Sequence, residues 1–159
     1  MLTVVPVKPP DQEPESPTGR STTWMGADMV ASPCPPTPAE RETMTDRDLE
    51  GLAIAVVRGL TMDGPHAARS GHQGTAMALA PLAHVLWTRV MRYDASDPSW
   101  PDRDRFVLSA GHASILLYSM LYLTGYELTL DDLRSFRQWG SNTPGHPEVG
   151  TTVGVEATT

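Results

Sequence analysis

Three glycine–histidine pairs are the feature of this chain with the most chemical potential. His72, His112 and His146, three of the five histidines, each follow a glycine directly. Glycine lacks a Cβ, so the backbone can turn sharply there and a ligand can come close. A neutral imidazole can donate to or accept from a hydroxyl or carbonyl, and its pKa lies near neutrality. One such pair alone is more often structural, but three in loops predict a shared site for a polar small molecule.

The elements around the second pair indicate how this site is built. Residues 105–109 are apolar with β-branched and aromatic character, which predicts a strand. Gly111-His112 follows as a turn, and residues 115–123 form a very apolar run that predicts a buried helix ending at Gly125. Strand, glycine turn and helix in this order open an α/β unit. The N-terminus of the helix is placed to offer N–H groups to a phosphate beside His112.

Three further helices are predicted. The first begins with a cap at Thr45, with Asp48 at the third helical position, and is predicted to end at Gly64-Pro65. The second is predicted over about residues 75–93, and its expected buried face comprises Leu79, Leu82, Ala83, Leu86 and Val90. A short third helix starts at a similar cap, Thr129 with Asp132, and the chain from Gly140 onward is loop-like.

The chain divides into two parts by composition. Nine of the fifteen prolines lie in residues 1–44, where small polar residues fill the gaps and no apolar period persists. Such a segment buries too little apolar surface to offset its ordering entropy, so we expect residues 1–44 to be disordered. Residues 45–159 are the expected globular domain, and Met44 is a candidate start of translation.

Charge and cysteine content exclude several classes of protein. The net charge of −7 argues against a nucleic-acid partner, which needs a basic face. The sequence contains neither a basic amphipathic helix nor an apolar segment of transmembrane length, so nothing in it predicts membrane binding. Cys34 is the single cysteine, so there is no disulfide pair within a monomer, and a reducing cytoplasmic setting is the plain interpretation.

A metal site is a weaker interpretation of the same histidines. Zinc accepts three histidines and a water molecule, as in a hydrolase. No two of these histidines have close helical ligand spacing, however, and no acidic neighbour is evident to orient them. We therefore predict no metal ligands in this chain. A zinc hydrolase remains as an alternative that predicts stoichiometric zinc in the purified protein.

Several sequence blocks closely resemble those of transketolases. The three longest are residues 70–74 (SGHQG), 102–112 (DRDRFVLSAGH) and 143–150 (TPGHPEVG), and their order and separation also match. Residues 123–126 and 154–159 fit the same family. The resemblance extends over residues 45–159. Gln73 departs from it, because proline is frequent at that position in the family.

The resemblance implies a fold and an activity. The fold would be the helix-rich beginning of a thiamine-diphosphate-binding α/β domain, a parallel sheet between helices, and incomplete. The activity would be transfer of a two-carbon ketol unit from a ketose phosphate to an aldose phosphate, as in the pentose phosphate pathway. By motif position, His72 and His146 would contact the sugar, and His112, Gly111 and Gly145 would bind the cofactor. A complete enzyme would be a cytoplasmic homodimer.

The same resemblance implies which parts are absent from the chain. In the family, a loop over the cofactor and a motif that binds Mg²⁺ or Ca²⁺ follow the position of Thr159. We therefore expect a truncated domain without activity of its own. The alternative is a non-catalytic remnant or interaction module that retains the fold and uses the proline-rich segment to bind partners. That alternative predicts drift at the three Gly-His pairs, which are intact here.

Overall fold

The computed structural model describes residues 44–159. Residues 1–43 of the segment predicted to be disordered lie outside the described residues, and Met44 is the first described residue. The disorder and the start of translation at Met44 both stay predictions. The described part contains helices α1 Asp46–Ala68, α2 Gly74–Val85, α3 Ser114–Leu123 and α4 Leu130–Arg134, a π-helical turn Leu86–Val90 and a 3-10 turn Gly111–Ala113. None of its helices is long and apolar enough to cross a membrane.

The predicted start of α1 is confirmed, but its predicted end is wrong. The Thr45 hydroxyl accepts a hydrogen bond from the Asp48 amide, and the Asp48 carboxylate accepts one from the Thr45 amide. The helix passes through Gly64 and Pro65 and ends at Ala68, before Arg69. A Cβ on Gly64 would lie 2.7 Å from a methyl carbon of Ile115 in α3. The glycine therefore permits close helix packing and does not stop the helix.

The buried face of α2 differs from the predicted one. Its most buried apolar residues, with those of the π-helical turn, are Ala76, Ala80, Ala83 and Trp87. Leu82 and Val90, which we expected inside, are 55% and 60% exposed. The helix is apolar nearly all round, so periodicity does not define which side faces the core. Small alanines allow α2 to approach its neighbours closely.

Helix α3 forms the centre of the core, as predicted. Its residues from Ser114 to Leu121 are all buried, and it contacts α1, α2 and α4. Each fully buried large apolar side chain contributes about 1.5–3 kcal/mol to folding. The helix ends before Gly125, which has a φ of +90°, and the Tyr126 amide donates to the Leu121 carbonyl.

The predicted strand at residues 105–109 does not form a sheet in the described part of the chain. No strand is present within residues 44–159. Burial nevertheless alternates along the segment: Leu108 is buried, and its neighbours Val107 and Ser109 are exposed. This is the side-chain period of a strand. A strand needs a hydrogen-bonded neighbour, and the described residues provide none.

The last part of the chain is one short helix followed by turns, as predicted. The cap of α4 is the expected one, because Thr129 and Asp132 exchange side-chain and backbone hydrogen bonds. The buried Thr143 then donates its hydroxyl hydrogen to the Asp132 carbonyl, 2.7 Å away. This bond joins the start of the His146 loop to α4.

Candidate functional site

The three glycine–histidine pairs lie on three different connections. His72 is in the loop between α1 and α2, His112 is in the 3-10 turn that precedes α3, and His146 is in the loop after α4. His72 and His146 are exposed, and His112 is half-buried. The helices therefore supply a fixed frame, and the histidines stand where a ligand can reach them.

The first two imidazoles are in contact. The ring centroids of His72 and His112 are 5.1 Å apart, and the rings meet edge to face at 72°. Nε2 of His112 lies 3.3 Å from the hydroxyl oxygen of Thr75, in the first turn of α2. The hydroxyl orients the ring of His112 and leaves Nδ1 on its other side.

The third imidazole lies beside the turn that bears His112. Gly111 is buried, and a Cβ there would come within 2.6 Å of Nδ1 of His146 and of the main-chain oxygen of Thr159. Nδ1 of His146 is 2.9 Å from that same oxygen. Since this oxygen only accepts hydrogen bonds, Nδ1 carries the proton, and Nε2 of the neutral ring remains an acceptor. The structure thus brings all three predicted pairs together.

Two hydroxyls of α3 bind the backbone of the His146 loop. Ser114 donates to the Gly145 carbonyl at 2.8 Å, and Tyr118 donates to the Pro144 carbonyl at 3.0 Å and to that of His146 at 3.3 Å. Both residues are fully buried. Burial raises the pKa of Tyr118 well above its usual range, so the phenol stays protonated and can donate.

The glycines of the first and third pairs pack against one side chain. A Cβ on Gly145 would lie 2.9 Å from a terminal guanidinium nitrogen of Arg137. A Cβ on Gly71 would lie 3.5 Å from Cδ of the same arginine, and Gly71 also has a φ of +123°, which favours glycine. A Cβ on Gly71 would come closer still, 3.2 Å, to the Phe136 ring and to Cβ of Pro65, so Gly71 is limited in space as well as in conformation. At Gly145 the atoms in the way belong to the end of the Arg137 side chain.

Sequence reasoning missed the residues that support the histidines. They are Thr75, Ser114, Tyr118, Arg137 and Thr143. Ser114 and Tyr118 carry a usable signal, because they are polar groups one helical turn apart in an otherwise apolar run. The contacts of Arg137 with Gly71 and Gly145 follow no helix or strand period of the sequence.

The described residues give no support to the zinc alternative. Within residues 44–159, no three histidine, cysteine, aspartate or glutamate side chains are grouped so that they could bind a metal ion. His112 approaches a hydroxyl and His146 approaches a main-chain oxygen. Both contacts are with oxygen atoms of the chain itself and not with a group of metal-binding side chains.

Comparison with known proteins defines the class to which this fold and site belong. Residues 49–159 match the family model of the transketolase thiamine diphosphate binding domain. The match includes all three glycine–histidine pairs.

Individual relatives agree with that match. The transketolase of Geobacillus stearothermophilus is 58% identical over 111 residues, which is 70% of this chain and 17% of that protein. The solved transketolase of Leishmania mexicana superposes with a TM-score of 0.67 at 53% identity, over 70% of this chain and 16% of its own. That of Campylobacter jejuni gives 0.68 at 45% identity, over 73% and 18%.

The chain belongs to the transketolase family. It spans about one sixth of the length of the relatives that it matches. The predicted resemblance is therefore confirmed, and the helix-rich fold agrees with the beginning of the diphosphate-binding domain.

Proposed function

We propose that this chain forms part of the cofactor and sugar site of an enzyme that transfers a two-carbon ketol unit from a ketose phosphate to an aldose phosphate. The observation that carries the proposal is the convergence of His72, His112 and His146, from three separate connections. Because the chain spans a small part of its relatives, the activity belongs to the complete enzyme. Alone, the chain is expected to be inactive.

His112 and Gly111 would bind the diphosphate of thiamine diphosphate. They precede α3, and neither the 3-10 turn nor α3 has a side-chain hydrogen bond at its N-cap. The Ala113 and Ser114 amides donate to the Ala110 and Gly111 carbonyls, so the earlier amides of the turn and the positive end of the helix dipole would face a phosphate oxygen. The residues present therefore fit an anionic group. Gly145, in the loop beside Gly111, would keep the backbone close to the cofactor.

His72 and His146 would contact the sugar. Nε2 of His146 is an acceptor in the neutral ring, so it can receive a proton from a sugar hydroxyl or accept its hydrogen bond. His72 is exposed and touches His112, so a sugar bound by His72 would lie near the diphosphate site. When bound, thiamine diphosphate supplies the carbon nucleophile for the transfer. The histidines orient the sugar and move protons at its oxygen atoms.

Three finer features belong to the proposal for the complete enzyme. A Mg²⁺ or Ca²⁺ ion would neutralise the diphosphate, with ligands from outside residues 44–159. The segment 105–109 would be a strand of a parallel sheet between helices, which its alternating burial supports. The enzyme would be a homodimer that acts in the pentose phosphate pathway of the cytoplasm. The single cysteine of the sequence is consistent with that compartment.

A graft tests the proposal directly. Residues 49–159 would replace the matching segment of the Geobacillus stearothermophilus transketolase, to which this chain is 58% identical. We expect a folded enzyme that transfers ketol units between sugar phosphates only with thiamine diphosphate and a divalent cation. A graft that binds the cofactor and forms the dimer, but transfers no ketol unit, would favour the non-catalytic interaction module.

Histidine variants of the graft separate the proposed roles. His112→Ala should raise the cofactor concentration required for half-maximal activity, because the diphosphate loses a contact. His72→Ala and His146→Ala should lower kcat/KM for the donor sugar by about tenfold or more, with the cofactor requirement unchanged. His66→Ala is the matched control, since His66 is exposed on α1 and follows no glycine. Equal effects of all four variants would contradict the assignment.

A further inference from the structure

Arg137 packs against two of the site's glycines. Its Cδ atom would be in van der Waals contact, at 3.5 Å, with a Cβ on Gly71, beside the Phe136 ring and Pro65 at 3.2 Å. Its guanidinium lies against Gly145, where an added Cβ would be 2.9, 3.0 and 3.4 Å from Nη1, Cζ and Nε. The central Cζ is about as close as the two nitrogens, so the guanidinium presents its flat face to the glycine. The two glycines directly precede His72 and His146.

The backbone of Arg137 is also held in an unusual conformation. Its φ is +61°, in the left-handed region that residues with a Cβ rarely adopt. Its amide donates to the Thr143 carbonyl at 2.9 Å, and this bond joins the residue to the start of the His146 loop. A non-glycine residue is held this way only where its surroundings require it, which often occurs at functional sites.

Other reasons for the position of Arg137 are weaker. In the part of the chain that the structure describes, this arginine forms no salt bridge. Its side chain is not needed to fill the core, because the residue is exposed. Gly145 does not have a positive φ, so its conformation does not require glycine, and the Arg137 guanidinium occupies the space that a Cβ would take.

We propose that Arg137 is a positioning residue that fixes the His72 and His146 loops relative to each other. The aliphatic part of the side chain supports the first loop at Gly71, and the guanidinium supports the second at Gly145. Arg137 acts through the two glycines on the two imidazoles. The effect of Arg137 on catalysis rests on the proposed function. Its contact with the two loops rests on the geometry alone.

The coupling can be measured without catalysis, in the full 159-residue chain labelled with isotopes at histidine. Arg137→Ala should shift the NMR signals of both His72 and His146. Arg137→Met keeps an aliphatic stem but has no guanidinium, so it should shift the His146 signal and leave that of His72 nearly unchanged. If the aliphatic stem and the guanidinium did not support different loops, each variant would shift both histidine signals or neither of them.

Two controls accompany these variants. Arg134→Ala removes an exposed arginine of α4 that pairs with Asp131, and it should move neither signal. The ring of His84, buried in α2, reports whether the fold is intact. If Arg137→Ala unfolds the chain, the His84 signal moves as well, and Arg137→Met then decides the test. Unchanged His72 and His146 signals in a folded Arg137→Ala chain would overturn the proposal.

A double substitution tests the guanidinium contact from the other side. Gly145→Ala alone should shift the His146 signal, because the new methyl group would clash with the guanidinium. In the Arg137→Ala background the same methyl group has room, so the additional shift should be small. Equal shifts in both backgrounds would show that Gly145 is not limited by Arg137.

Activity of the graft then separates this inference from the proposed function. Arg137→Ala should lower kcat/KM for the donor sugar by about tenfold to a hundredfold, as misplaced catalytic groups do, while Arg134→Ala leaves it unchanged. Coupled NMR shifts in an inactive graft would refute the proposed function and leave the coupling intact. An active graft that tolerates Arg137→Ala without loss would refute the positioning role alone.

Discussion

Arg103 and Glu156 form a two-pronged ion pair across 53 residues of chain. Nε and Nη2 of the arginine each lie 2.9 Å from a different carboxylate oxygen, and the two side chains are only 12% and 15% exposed. A second terminal nitrogen of Arg103 donates to the Trp100 carbonyl at 2.7 Å. The pair therefore fixes the last residues of the chain, including Thr159 beside His146, to the loop that precedes residues 105–109.

Arg103→Ala should destabilise the chain by about 2–4 kcal/mol, because it leaves the carboxylate of Glu156 poorly solvated and without its main partner. Urea unfolding followed by tryptophan fluorescence measures the change. Arg134→Ala is the control, since its pair with Asp131 is exposed and contributes about 0–0.5 kcal/mol. Equal losses in the two variants would contradict the importance of burial for the Arg103 pair.

Tyr118→Phe should cost about 1–2 kcal/mol at neutral pH, because the Pro144 and His146 carbonyls lose their donor. Burial raises the pKa of this phenol, so its contribution is complete below the unfolded value of about 10 and is lost at higher pH. Unfolding free energy should fall above about pH 10 in the native chain, and less steeply in Tyr118→Phe. Tyr122→Phe is the control at neutral pH and should cost less stability, because Tyr122 is only half-buried.

Gly154→Ala and Gly150→Ala form a matched pair that separates steric from conformational strain. Both glycines have a positive φ, +89° and +87°, so alanine is strained by about 1–2 kcal/mol at either position. At Gly154 an added Cβ would also lie 2.7 Å from a methyl carbon of Leu121 and 2.8 Å from the ring of Tyr126, whereas nothing lies within 4 Å at Gly150. Thermal unfolding should show the greater loss for Gly154→Ala. Equal losses would mean that the residues around Gly154 move and relieve the contacts with Leu121 and Tyr126.

Asp132→Asn tests the cap of α4 through its pH dependence. Hydrogen bonds, first from the Thr129 hydroxyl, hold the pKa of Asp132 below its usual value. A lowered folded pKa gives stability that is present above the unfolded value of about 3.9 and is lost as the pH falls. Urea unfolding between about pH 6 and pH 2.5 should therefore show a weaker pH dependence in Asp132→Asn. Asp131→Asn is the control at neutral pH, where it should leave the hydrogen bonds between Thr129 and Asp132 in place.

Local chemistry made the helix starts and the histidine site predictable. The caps at Thr45 and Thr129 depend on residues three positions apart, so the sequence contains all of their determinants. The three glycine–histidine pairs share a short motif whose chemistry suits one ligand, and the structure brings them together. The roles of the individual histidines stay predictions.

Features that depend on distant neighbours could not be predicted. Gly64 and Pro65 indicated a helix end, but contact with Ile115 decides their role. The face of α2 could not be assigned, because both of its sides are apolar. The strand at residues 105–109 needs a partner that no described residue supplies. Arg137 gave no sequence signal, since Gly71 lies 66 residues before it and Gly145 lies eight residues after it, in two different loops.

The two hydroxyls of α3 also restrict where residues can be inserted into the chain. Ser114 and Tyr118 are four residues apart, so both face the same loop. One inserted residue between them would rotate the second hydroxyl by about 100° and aim it away from the Pro144 carbonyl. Residues 94–99, in contrast, lie in largely exposed turns and can absorb insertions. Members of this family should therefore differ in length within residues 94–99 and agree in length from Ser114 to Tyr118.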